Sequence, residues 1–159
     1  METNINPISS SSRNITFKLV DVTKDSADYD AVKQIRVVLS PGNSPAELKA
    51  YHNDDKCSVY LMLVDDEPVG TLRINFKPDG YKFERIAIVE KYQGKGLGKE
   101  LLMGILKIVQ GKTPHIYIHS RIHMVPFYVK CGFQTVGELF FERICDHFKM
   151  VYSQTPAAN

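Results

Sequence analysis

Tyr92-Gln93-Gly94-Lys95-Gly96-Leu97-Gly98-Lys99 stands between an apolar run, Ile86-Ala87-Ile88, and a segment whose apolar residues recur at Leu101, Ile105 and Val109. The run reads as a strand and the segment as an amphipathic helix, so the glycines form the turn that joins them. A turn of this kind gathers the unpaired N–H groups of a helix start at the positive end of its dipole. Phosphate groups bind at such a point. The helix, ended by Gly111, must lay its apolar face on a sheet, which makes the chain an α/β protein around this unit.

Two common nucleotide loops are excluded by spacing. A P-loop would need glycine where Gln93 stands and a hydroxyl where Glu100 stands. A dinucleotide fingerprint would need its third glycine three positions after the second, whereas Gly98 follows Gly96 by two.

Gln-x-x-Gly-x-Gly is the acetyl-coenzyme A pyrophosphate loop of the GNAT family of N-acetyltransferases, and the chain resembles that family from about Ile15 to Tyr152. Phe83-Glu84-Arg85-Ile86-Ala87-Ile88 is similar to the family's fourth strand. Pro126-Phe127-Tyr128-Val129-Lys130-Cys131-Gly132-Phe133 is similar to its Phe-Tyr-x-Lys-x-Gly-Phe segment. Within the family the loop and this segment resemble the glucosamine 6-phosphate N-acetyltransferases. A second resemblance, from Phe127 to Asp146-His147-Phe148-Lys149-Met150, is to a bacterial acetyltransferase branch. The fold implied is the GNAT fold, a mixed, mostly antiparallel sheet with helices on both faces.

Working outward, Ile15, Phe17 and Leu19 alternate as a first strand, and Asp25 to Leu39 carries a helical spacing. Ser44-Pro45-Ala46-Glu47 has the cap, first-turn proline and capping-box glutamate of a short helix reaching about His52. Cys57 to Val64 and Val69 to Phe76 read as a hairpin, followed by a strand from Tyr81 to Val89. Beyond the central helix come a strand at Ile116 and Ile118, a short helix from Met124 to Lys130, and strands at Phe133 to Val136 and Cys145 to Tyr152. Residues 1–13 and 153–159 read as polar tails flanking one domain.

With 159 residues and 43% hydrophobic content the chain suits one domain with its own core. A net charge of +2, with basic residues spread along the chain, gives no footprint for nucleic acid or an anionic membrane. Cys57, Cys131 and Cys145 make neither a zinc pattern nor an even disulfide set, so no metal is expected and a reducing, cytoplasmic setting is. The resemblance leaves room for a homodimer.

Acetyl transfer needs an unprotonated amine, a polarised thioester and a proton for the departing thiolate. The resemblance implies that N–H groups of Gln93, Gly94, Lys95, Gly96, Leu97, Gly98 and Lys99 hold the pyrophosphate, with the two lysines as counter-charges. Ile86, Ala87 and Ile88 are expected to hold the pantetheine through main-chain bonds, an N–H near Ile88 facing the thioester oxygen. Phe127 and Lys130 complete the coenzyme set.

Glu84, two residues before Ile86, is expected on the same strand face, with burial raising its pKa toward that of a useful base. Tyr128 matches the tyrosine beside the coenzyme sulfur in relatives, where it can protonate the thiolate. Arg121, His123, Arg143 and His147, with Lys149, are the candidate acceptor-binding residues, suited to a small amine bearing phosphate. Here the chain departs from the glucosamine-phosphate branch: Met124 replaces an asparagine, and Arg121 falls where an acidic residue is expected. Cys131 has no activating pair in the sequence, and direct transfer requires no covalent intermediate.

Overall fold

The structure is a computed structural model that describes residues 13–39, 53–142 and 145–153. The terminal tails, apart from Arg13 and Ser153, and the helix expected at 44–52 lie outside these residues. Strands β1 (Ile15–Leu19), β2 (Cys57–Val64), β3 (Glu67–Lys77), β4 (Gly80–Ile88), β5 (Ile116–Arg121), β6 (Phe133–Glu142) and β7 (Cys145–Tyr152) form one sheet. Its order is β1-β2-β3-β4-β5-β7-β6, and every neighbouring pair is antiparallel except β4 and β5. The expected mixed, mostly antiparallel sheet is present.

Helices cover both faces. Helix α1 (Ala27–Arg36) starts at Ser26, whose backbone is extended and whose hydroxyl accepts the Tyr29 N–H, and it carries Asp28 and Asp30 at its positive end. It buries Tyr29, Val32 and Ile35 against Val59, Leu61, Leu63 and Ala87. The helix gives way to a 3₁₀ turn at Val37–Leu39, so the helical spacing extends past the α-helix itself.

Helix α2 (Leu97–Val109) lies on the opposite face. Its buried stripe, Leu97, Leu101, Leu102, Ile105, Leu106 and Val109, packs with Met62, Leu72, Ile74, Phe83, Ile116 and Ile118. At about 2 kcal/mol for each fully buried aliphatic side chain, this face contributes strongly to stability. Helix α3 (Val125–Lys130) adds Tyr128 to the same core.

β6 runs six residues past the expected end at Val136. Gly137, at φ 75°, marks a break in the pairing with β7 between Val136 and Phe140, after which the ladder resumes. A glycine that reads as a strand end is here a bulge.

Two departures from a regular sheet shape its centre. The first is in β4, where Thr71 pairs with Ala87 but Arg73 pairs with Glu84, leaving β4 with an extra residue at Arg85, φ 53°. The extra residue reverses the alternation: Phe83, Ile86 and Ile88 pack on the α2 side, whereas Ala87 belongs to the α1 side and Glu84 to the ion pairs there. Glu84 therefore does not share a face with Ile86, contrary to the two-residue parity. The second is between β4 and β5, which pair only through Tyr81–Ile116, Lys82–Tyr117 and Phe83–Ile118. Beyond that, β4 continues along β3 and β5 along β7, and the two strands diverge into a wedge.

Candidate active site

The glycine turn sits at the open end of this wedge. A 3₁₀ turn, Glu90–Tyr92, follows β4 and is pinned by Val89 N–H to Val69 O at 2.9 Å and by the Tyr92 hydroxyl to Glu67 Oε1 at 2.6 Å. Gln93 donates through Nε2 to the Ile88 carbonyl at 2.9 Å, tying the turn to the end of β4. Its side chain is thus a brace for the loop.

Gly94 at φ 78° and Gly96 at φ 81° occupy the left-handed region, where a Cβ costs roughly 1–2 kcal/mol. Nothing lies within 4 Å of where a Cβ would be built at either position, so the loop bounds open space. Gly96 caps α2 without a side-chain bond, leaving the N–H groups of Leu97, Gly98 and Lys99 without helical acceptors. Free N–H groups beside open space at a helix start are what an anion-binding turn needs. Lys95 and Lys99 are exposed at the rim of this turn, while the Leu97 side chain is core and contributes only its N–H.

Gly98 has a different reason to be glycine. A Cβ there would stand 3.3 Å from Phe127 Cζ and 4.0 Å from Ile88 Cγ1. The structure thereby brings together the three pieces that are far apart in the sequence: the loop, the end of β4 and the start of α3. Tyr128, next to Phe127, is 7% exposed, with its ring edge-on to Phe127 at 5.2 Å and to Phe133 at 6.0 Å. Burial pushes its phenol up to about 12. Lys130 is exposed at the end of α3.

On the α1 side the wedge is bordered by a buried ion network. Asp54, 2% exposed, accepts from Arg36 Nη1 at 2.8 Å, Arg73 Nη1 at 2.9 Å and the Tyr29 hydroxyl at 2.7 Å. Arg73 also donates to Glu84 Oε1 through Nη2 at 2.6 Å and Nε at 3.0 Å. Asn75 Nδ2 reaches the same oxygen at 3.1 Å, and Lys82 Nζ lies 3.4 Å from Glu84 Oε2. Burial alone would raise the pKa of Glu84, but Arg73 outweighs it with help from Lys82 and Asn75, and the net shift is downward. This is the opposite direction to the expected rise. Arg73 and Asp54 had no motif in the sequence to mark them.

The candidate acceptor residues are only partly assembled. Arg121 and His147 face each other in the β5–β7 ladder, Arg121 exposed and His147 buried with Nδ1–H donating to the Cys145 carbonyl at 3.0 Å. His123 is exposed on the 3₁₀ turn Ile122–Met124, away from that ladder, and Arg143 lies outside the described residues. Lys149 is held 3.7 Å from Asp79 and over the Tyr117 ring. Cys131 is buried and its thiol is pushed up by that burial, which disfavours the reactive thiolate.

A family model for the acetyltransferase (GNAT) domain matches residues 23–154. The chain belongs to the GNAT acetyltransferase family. The uncharacterized protein YyaT of Bacillus subtilis (strain 168) is 28% identical over 134 residues, 81% of this chain and 90% of its own length. The spermine/spermidine N(1)-acetyltransferase of the same strain is 40% identical over 63 residues, 36% of this chain and 41% of its own. A GNAT acetyltransferase from Elizabethkingia anophelis, crystallised with acetyl-CoA bound, superposes with a TM-score of 0.65 at 18% identity, covering 87% of this chain and 97% of that one.

The GNAT wedge residues of this chain are framed by side chains that no linear motif links. His119, the β5 residue just past the last β4–β5 pair, was hidden in the sequence between the apolar Ile116 and Ile118 and the acceptor candidates. Among the described residues there is no group of three or more His, Cys, Asp or Glu able to hold a metal ion, and no helix is long and apolar enough to cross a membrane.

Proposed function

We propose that this chain transfers the acetyl group of acetyl-CoA directly to a small primary amine. The observation that carries the reading is the open cradle of Gly94, Gly96 and the α2 N-terminus at the mouth of the β4–β5 wedge, with Phe127 against Gly98. The cradle takes the pyrophosphate, with Lys95 and Lys99 as counter-charges. The β4 edge at Ile86, Ala87 and Ile88, which has no strand on its β5 side, offers main-chain groups to the pantetheine.

Glu84 serves as a carboxylate that attracts and orients the incoming ammonium, a role its lowered pKa suits. Tyr128 stabilises the leaving thiolate by hydrogen bonding. Complete transfer from a phenol at about 12 to a thiolate near 8.5 is uphill by about 5 kcal/mol, so the phenol donates a hydrogen bond while the amine's own proton replaces it.

For the acceptor, the first reading is an amine that also carries an anion, with glucosamine 6-phosphate as the specific substrate. Its support is the resemblance of the loop and the Phe127–Phe133 segment, together with Arg121 at an exposed position beside the wedge. A second reading, a polyamine, is favoured by the 40% identity over 63 residues to the spermine/spermidine enzyme. Steady-state thiol release from acetyl-CoA with glucosamine 6-phosphate, glucosamine and spermidine separates them. The phosphosugar reading requires the first to exceed the second by about tenfold or more, since a charge-assisted contact is worth about 1.5–3 kcal/mol. Turnover of spermidine alone replaces it with the polyamine reading.

A further inference from the structure

Glu84 and His119 are each the first residue beyond the last β4–β5 pair, Phe83 with Ile118. Phe83 and Ile118 both point into the α2-side core, so the residues that follow them flank the apex of the wedge on the opposite, acceptor face. Carboxylate and imidazole thus stand on either side of the point where the strands part. The His119 ring is held edge-on to Phe140 at 4.9 Å and tilted on Tyr117 at 5.8 Å. Its Nδ1 is buried without a well-formed hydrogen bond and lies 3.4 Å from Glu142 Oε2, a charge contact, while the side chain as a whole keeps 24% of its exposure. The buried edge is the Nδ1 edge, which leaves the Nε2 edge toward the open side.

We propose that His119 is the proton acceptor for the incoming ammonium, an inference that rests on the acetyl-transfer reading above. Glu142 beside Nδ1 favours the tautomer with its proton there and a free lone pair on Nε2. The ammonium gives one proton to Nε2, making imidazolium, and the neutral amine attacks the thioester carbonyl. The C–N bond forms and the C–S bond breaks. A second nitrogen proton passes to the thiolate while the third stays on the amide, and the imidazolium returns its own to solvent, so one proton is released per turnover. Glu84 is unsuited to the task because Arg73 and Lys82 hold it ionised, with little affinity for a proton.

The groups facing the imidazole are Lys82 and Glu84 on β4, Tyr117 and Arg121 on β5, His147 and Lys149 on β7, and Glu142 on β6. Burial and Lys82 lower the histidine's pKa, Glu142 opposes them, and the net shift is downward. The ring is therefore neutral and able to accept a proton at pH 7.

The test is the pH dependence of kcat/KM for wild type, His119→Gln and Glu142→Gln, with spermidine and glucosamine 6-phosphate as probe amines and acetyl-CoA affinity measured by calorimetry. His119→Gln should keep its acetyl-CoA affinity, lose about 10²-fold in kcat/KM and lose the acidic limb below pH 7. Glu142→Gln should move that limb to lower pH, because the imidazolium loses its carboxylate. A limb retained in His119→Gln, at full or reduced rate, overturns the inference and leaves the acetyl-transfer reading intact. Wild type that acetylates neither probe overturns that reading on these amines and the inference with it. If His119→Gln does not fold, NMR titration of the His119 ring in wild type decides: its pKa must coincide with the kinetic limb, and a mismatch refutes the role.

Discussion

Asp54→Ala would strike the network that fastens α1 to the centre of the sheet. Asp54 takes hydrogen bonds from two guanidiniums, Arg36 at 2.8 and 3.3 Å and Arg73 at 2.9 Å, and from the Tyr29 hydroxyl at 2.7 Å. Arg36 and Arg73 are 1% and 4% exposed, so water cannot replace the lost carboxylate without local opening. Removing one partner of a buried ion pair costs about 3–5 kcal/mol. Two cations share this anion, which places the expected loss near the upper end, about 4–5 kcal/mol. A domain of this size shifts its Tm by about 2–4 °C per kcal/mol, so the variant should melt about 10–20 °C lower. Urea unfolding should show the midpoint falling at unchanged slope. A loss under about 1 kcal/mol would refute the argument, because it would mean that the two guanidiniums find other partners or reach solvent without strain.

The same network predicts the acid behaviour. Asp54 and Glu84 both have lowered pKa values: burial pushes each up, and the arginine partners more than reverse it. Carboxylates depressed in the folded state stabilise it above their unfolded values, about 3.9 and 4.3, and that contribution is lost as pH falls through the lower folded values. Stability measured by urea titration should therefore be flat from neutrality to about pH 5 and fall steeply below about pH 4, with a shallower fall in Asp54→Ala. For Tyr128→Phe, acetyl-CoA affinity by calorimetry should be unchanged and kcat should fall about tenfold or more at every pH from 6 to 9, since a phenol at about 12 stays protonated throughout. Unchanged kcat with chemistry rate-limiting would reduce Tyr128 to a packing residue.

The sheet class, the helix faces and the glycine turn are legible in the sequence because they depend on local period and on glycines whose conformation no other residue adopts cheaply. Leu97 to Val109 is helical by spacing and helical in the structure, and Gly94 and Gly96 are left-handed in the turn before it. Glu84 was misplaced for an equally local reason. The bulge sits on Arg85, an arginine at positive φ, where only a glycine or asparagine would have signalled the break in parity. The Arg36–Asp54–Arg73–Glu84 network was invisible because its members come from α1, the turn before β2, β3 and β4, and meet only through the sheet order. No motif marks His119: Ile116 and Ile118 show the strand and its core face by their alternation, whereas Tyr117 and His119 stand on the other face.

Acetyl-CoA binding to wild type and Gly96→Asp, measured by calorimetry with circular dichroism as the folding control, tests the central claim most directly. Gly96 is left-handed, borders open space and caps α2 with no side chain in the way, so an aspartate would put a side chain and a negative charge at the mouth of the cradle. Saturable binding to wild type, with affinity lowered at least a hundredfold in a folded Gly96→Asp, is the expected result. Equal affinity in the two folded proteins, or none in wild type, would contradict the assignment of this loop as the coenzyme site.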